Sequence, residues 1–240
     1  FPKARELWLP ALFPPPAPAA GLTAAAESAD VAGMDDHLRY SGRGEAEQRA
    51  ALEAIIRSSP LLMEVLDGIR QDGLPDPLLV AGAIYNLVWN RLTGRPDRTG
   101  INDIDVVYFD GSDLSYEAED RVIQRLDRRF AGLPLPVQVR NQARVHLWFP
   151  QKFGVPFTPL VSSAEMLGRY ASKTHAVGAR LEADGRLTLV APFGLDDIFS
   201  FRIVPNPVLM NKPAHEAKGA RAKSVWPELT VVPWEDDGSR

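Results

Sequence analysis

Apolar residues first fall into a repeating pattern at Leu52, Ile55 and Ile56, and again at Leu61, Leu62, Val65, Leu66 and Ile69 after Pro60. Spacings of three and four put each set on one face of a helix, so two helices are predicted between Glu45 and Ile69. Asp72-Gly73 and Pro75-Asp76-Pro77 break the chain. A short apolar strand follows at Leu78 to Ala81, then Gly82, then a second helical pattern through Ile84, Leu87, Val88 and Leu92. The reading is strand, glycine turn, helix. Beyond the loop Thr93 to Asp97, the run from Asn102 to Asp110 is the clearest strand, and alternation puts Asp103 and Asp105 on one side with Ile104, Val106 and Tyr108 on the other.

Ser115 to Phe130 is predicted helical, with Glu117 and Glu119 at its start and Arg128 and Arg129 at its end, the order the helix dipole favours. A third strand is predicted from Val137 to Trp148. Ser162 and Glu165 form a capping-box pattern for a short helix through Tyr170. Asp184-Gly185, between Ala176–Glu182 and Arg186–Val190, predicts a hairpin with a primed turn. Toward the end of the chain, Val204-Pro205-Asn206-Pro207 and Trp226-Pro227 predict wrapping over the surface, with no further core element. Phe1 to Gly33, rich in Pro and Ala and without periodicity, reads as a tail, and 34–240 as a single domain.

Composition narrows the chemistry. The chain has no cysteine, so any metal must be held by oxygen or imidazole, and a reducing cytoplasm is the expected compartment. Its net charge of −4 gives no general attraction for a polyanion, so nucleic acid is not the favoured partner. No apolar run reaches the length of a membrane span. Walker-type Gly-Lys-Ser/Thr, the dinucleotide glycine fingerprint and Gly-x-Ser-x-Gly are all missing, and with them the leading signatures of ATPases, dehydrogenases and serine hydrolases. His37, His146, His175 and His215 lack the close pairing of a zinc site.

What remains is Asp103-Ile104-Asp105 beside the glycine turn. Two carboxylates on one strand face can hold a hard divalent cation, and Mg²⁺ takes a few carboxylate oxygens completed by water and phosphate. A solvated strand end is the plain alternative. Arg144 and His146, on one face of the predicted third strand, could meet phosphate or base; the alternative for His146 is packing near Trp148. Lys173, His175 and Arg180 flank the hairpin, where a solvated sheet edge is the simpler reading.

The stretch Val80-Ala81-Gly82-Ala83-Ile84, followed by Asp103 to Asp110, resembles the glycine turn and paired-acid strand of the nucleotidyltransferase superfamily. Asn141 to His146, Ala191-Pro192-Phe193-Gly194-Leu195, Trp226-Pro227 and Trp234 are similar to one bacterial branch of it. The resemblance implies a mixed β-sheet flanked by helices, an α/β (α+β) fold with an additional C-terminal β-hairpin region. It also implies Asp103 and Asp105 as catalytic Mg²⁺ (or Mn²⁺) ligands, and Gly82 with Ala83 as the phosphate-side turn. The activity implied is transfer of a nucleoside monophosphate from an NTP to an acceptor hydroxyl. Two positions depart from the pattern: Ala83 offers no hydroxyl, and Gln138 stands where a third acid is sought. A nucleotide- or partner-binding module without turnover is therefore the second expectation.

Overall fold

The computed structural model describes residues 36–209 and 211–235, and the tail read over residues 1–33 lies outside them. The two predicted amphipathic helices form as Glu45–Arg57 (α1) and Pro60–Asp72 (α2). Leu52, Ile56, Leu62, Val65, Leu66 and Ile69 are buried. The Ser59 hydroxyl accepts from the Leu62 amide, Pro60 needs no donor in the first turn, and Gly73 ends α2 at φ 71°. The wholly buried Leu78–Val80 (β1) then leads into Gly82–Leu92 (α3), a helix buried on nearly every side.

Ile104–Tyr108 (β2), Tyr116–Arg129 (α4) and Val137–Asn141 (β3) form a parallel crossover unit. Ser115 caps α4 by accepting from the Ala118 amide. Next come Val145–Phe153 (α5), Ser163–Leu167 (α6), Gly178–Leu181 (β4), Leu187–Val190 (β5), Asp196–Phe199 (α7), Arg202–Ile203 (β6), Lys212–Val225 (α8) and Thr230–Val231 (β7). The main sheet has the order β3-β2-β1-β4-β5; β2 and β3 are parallel and every other pairing is antiparallel. This is the expected mixed sheet flanked by helices. The predicted hairpin is β4–β5, and it is part of that sheet, because Leu79 and Val80 of β1 pair with Ala179 and Gly178.

Four expectations need correction. The third strand ends at Asn141, not Trp148. The Asn141 carbonyl oxygen Oδ1 accepts from the Ala143 and Asp110 amides at 3.1 and 3.0 Å, turning the chain, and Val145 and Phe149 then enter the core at helical spacing. The hairpin turn is not primed: Glu182 and Arg186 close the loop, the Gly185 amide donates to the Glu182 carbonyl at 3.0 Å, and only Gly185, at φ 81°, is left-handed. The Ser162-capped helix stops at Leu167, short of Tyr170. Finally, the segment read as surface wrapping contains α8, a helix of 14 residues that buries Ala214, His215, Lys218, Gly219 and Ala222. No helix among the described residues is long and apolar enough to cross a membrane.

Candidate active site

Strand register builds the centre of the site. Val80 pairs with Asp105 across β1 and β2, so the chain leaves β1 and turns into α3 beside the carboxylates. The turn is made by Ala81, at φ 56° and ψ −120°, with its amide bonded to the Val177 carbonyl at 2.8 Å. An L-residue there is strained by roughly 1–3 kcal/mol. Gly82, expected to be the tight position, is the first residue of α3 with a helical backbone. A methyl group on it would come no nearer than 3.7 Å to Tyr85 and Asn86. Nothing inside the chain therefore demands glycine at 82; its missing side chain leaves room on the cleft, which it lines together with Asp103 and Asp105. No side chain caps the first turn of α3.

The loop that delivers Asp103 is pinned on both sides. Asn90, fully buried, donates to the carbonyls of Asp97 and Thr99 at 2.9 Å and accepts from the Trp226 indole at 3.0 Å. Gly100, at φ 69°, lies flat against Trp226, and a Cβ would sit 2.4 Å from the ring. Asp103 and Asp105 emerge on the same side, as alternation requires. Burial raises the pKa of Asp103, with Arg221 and Lys218 opposing. Burial and then the Asp103 charge push Asp105 up to about 7, with Lys218 and Arg140 opposing. Gln138 is paired in register with Asp105 on the parallel neighbour strand, and its amide donates to Asp103 Oδ2 at 2.7 Å.

Across the cleft stands α8. Lys218, only 8% exposed, and Arg221 line the same narrow space as the carboxylates. Burial draws the Lys218 ammonium down to about 7, while Asp105 and Asp103 hold it up. This small space of about 30 Å³ shares Tyr85, Asn86, Asn102, Lys218 and Arg221 with one of about 150 Å³, whose walls add His175, Ala222, Val225 and Trp226. His175, read from the sequence as a hairpin-edge residue, is 2% exposed and stacked on Tyr85 with ring centroids 4.7 Å apart. Its Nδ1 is buried without a partner. Burial first, then Lys218, His215 and Arg221, keep its pKa well below the usual imidazole value, so the ring is neutral.

The remaining predicted site residues lie elsewhere. Ala83, 1% exposed, lines a separate apolar cavity of about 260 Å³ with Leu62, Leu87, Ile101 and Leu135. Arg144 and His146 are on no strand and line neither space at the carboxylates. Arg144 forms an ion pair with buried Glu119, whose other oxygen accepts from the Asn141 amide; His146 sits in the first turn of α5. Arg180 is ion-paired with Asp76 and Glu182. Sequence reading missed Tyr85, Asn86, Asn102, Lys218 and Arg221.

Does this donor set suit a divalent cation? Two half-buried carboxylates, both raised by burial and Asp105 further by the Asp103 charge, with room in front of them, fit a hard ion completed by water and ligand oxygens. Among the described residues no group of three or more His, Asp or Glu side chains converges, so the pair stands alone as the anionic donor set.

A strand turning tightly into a helix, beside a strand with two carboxylates on one side, defines the frame on which nucleotidyl transfer enzymes are built. The chain matches the family described as Nucleotidyltransferase over residues 67–231 and belongs to it. It is also similar to a solved structure described as revealing a CCA-adding enzyme head domain, at 30% identity and a TM-score of 0.62 over 78% of this chain and 96% of the other. A second similarity, 18% identical with a TM-score of 0.39, is to a tRNA nucleotidyltransferase complexed with a primer tRNA and an incoming ATP analog; it covers 65% of this chain and 44% of that one. No protein of curated function matches.

Proposed function

We propose that this chain transfers a nucleoside monophosphate from an NTP to an acceptor hydroxyl in the cleft bounded by Gly82, Asp103 and Asp105. The observation that carries the reading is the Val80–Asp105 register, which sets two same-side carboxylates beside the uncapped start of α3. Asp103 and Asp105 would hold Mg²⁺, which when bound neutralises charge on the phosphate oxygens. The chain's own contribution is placement. Gly82 leaves space for phosphate to approach the backbone, and the first turn of α3 presents the positive end of its dipole. The acceptor oxygen bonds to the α-phosphorus as the bridge to pyrophosphate breaks, and the acceptor proton passes to solvent. A nucleic-acid acceptor is not the favoured one, since a net charge of −4 offers it no general attraction.

A second reading rests on Gln138. Its amide donates to Asp103 and brings no charge, so a module that binds nucleotide without turnover keeps the same geometry. Thermal unfolding separates the readings from a purely structural role. With Mg²⁺ and the preferred NTP at about a hundredfold over Kd, the wild type should gain about 2.7 kcal/mol, several degrees in Tm, and Asp103→Asn should gain none. No rise with any of the four NTPs would end both nucleotide readings. Pyrophosphate release that requires Asp103 then decides for transfer over binding alone.

A further inference from the structure

Ala83 and Ile104 turn away from the carboxylates and line the apolar cavity of about 260 Å³, while their chain neighbours Gly82, Asp103 and Asp105 line the cleft. The start of α3 and the start of β2 thus wall both spaces, and Ile101 is common to the two linings. The rest of the cavity is Leu61 and Leu62 from α2, Leu87 from α3, and Leu135 from the approach to β3. Protein interiors hold few voids larger than a water molecule, because an unfilled one costs stability in proportion to its volume. Collapse of the surroundings normally removes such a space, and here the surroundings are fixed. The loop that forms one side is held from behind: fully buried Asn90 donates to the Asp97 and Thr99 carbonyls at 2.9 Å, and Trp226 backs Gly100. On the opposite side Ser59 fastens the first turn of α2, accepting from the Leu62 amide on its hydroxyl and from the Met63 amide on its carbonyl. The cavity is therefore preformed, as small-molecule sites usually are.

Size and charge define what fits. Roughly 150 Å³ of apolar space is enough for a benzene ring. A cavity of about 260 Å³ takes such a ring with a short chain. Two charged residues stand on its rim, Asp97 and Arg98. Arg91 grips both carboxylate oxygens of Asp97 at 2.6 Å, so that acid is already compensated. Arg98 is exposed and has no ion pair or hydrogen bond among the described residues. One guanidinium over an apolar space calls for an anion with an apolar body. Its planar fork matches a carboxylate, and a single cation beside Asp97 suits a monoanion better than a phosphate dianion. We propose that this cavity is a binding site for a small apolar carboxylate, an aryl or branched alkyl acid whose body lies between α2, α3 and β2 and whose carboxylate rests on Arg98. The site is separate from the nucleotide cleft.

The test titrates phenylpropionate calorimetrically, with phenylpropanol as a neutral control of the same body. The wild type is expected to bind the acid about tenfold tighter than the alcohol, the worth of one charge-assisted hydrogen bond. Arg98→Gln, at an exposed position, should erase that preference by weakening the acid alone. Leu61→Trp, which extends a half-buried wall into the space, should abolish binding of both compounds. Folding of each variant is checked by its ligand-free Tm. Binding of the acid should persist with Mg²⁺ and saturating NTP. The proposal is overturned if neither compound binds, if acid and alcohol bind alike, if Arg98→Gln keeps the preference, or if Leu61→Trp binds like the wild type. Displacement of the acid by NTP would also overturn it, by assigning the cavity to the nucleotide. Since the titration itself needs neither metal nor NTP, failure of every NTP to bind would end the transfer reading and leave this site standing.

Discussion

Gln138 shows how one side chain sets the character of the cleft. It is in register with Asp105 and hydrogen-bonded to Asp103, the place from which a third carboxylate would face the pair. Gln138→Glu should therefore tighten Mn²⁺ binding roughly tenfold, because affinity for a hard cation rises with the number of anionic oxygens. It should also lower the metal-free Tm through repulsion among three close acids. Mn²⁺ affinity measured by paramagnetic resonance checks this without any need for turnover, and an unchanged value would show that the amide is not what limits the donor set. The shared side of Asp103 and Asp105 was legible because strand alternation is a local rule, whereas Gln138 was singled out only through the family resemblance, since the parallel register that sets it opposite Asp105 spans the α4 crossover. Arg144 and His146 were not, because the Asn141 side chain bends the chain at Asn141, well short of the predicted strand end at Trp148. Once the strand ends there, an alternating face no longer exists for them, and Arg144 is held by Glu119 instead.

At the level of elements, the junction of β1 and α3 carries its strain one residue before the glycine that marks it in the sequence. Ala81→Gly relieves a left-handed alanine worth roughly 1–3 kcal/mol, against about 0.5–1 kcal/mol for glycine's chain entropy and about 0.8 kcal/mol for the lost buried methyl. The expected outcome is a Tm equal to or above the wild type. Ala83→Gly, two residues on in regular helix, has no such relief and should lose about 1–2 kcal/mol. Denaturant unfolding of the two variants compares them directly; equal losses would mean that the turn stores no strain. The helix that sequence reading passed over, α8, teaches the complementary lesson. Its buried positions, Ala214, His215, Lys218, Gly219 and Ala222, keep helical spacing, yet none is a large apolar residue. Hydrophobic periodicity reports only what is buried as oil, and this face is buried as small residues and functional groups. The signal available was Pro213 in a first turn followed by an alanine-rich run with one residue type on no face, which marks a helix without saying which side is inside.

For the whole molecule, the cleft is a stability cost whose pH dependence follows from two opposite shifts. Asp105 is raised from 3.8 to about 7, so the folded protein holds that proton more tightly than the unfolded chain; the contribution is fully present below pH 4 and is lost as pH rises through 7. Lys218 is lowered from 10.5 to about 7, so its contribution is present above pH 10.5 and is lost as pH falls through 7. Both losses coincide near neutrality, where a half-buried carboxylate and a buried ammonium are charged together. Replacing a buried ion pair with neutral groups of similar shape is often stabilising. The double variant Asp105→Asn with Lys218→Met, in metal-free buffer, should therefore melt higher than the wild type by several degrees near pH 7. That advantage should shrink toward both pH 4 and pH 10. Thermal scans across that range give the difference curve, and a flat one would mean that the two groups are not charged against burial. Adding Mg²⁺ with the preferred NTP should reverse the order, since the wild type alone retains both carboxylates and the α8 ammonium. That reversal ties the stability lost in the empty cleft to the binding it makes available, the trade expected where charges are held ready for a ligand.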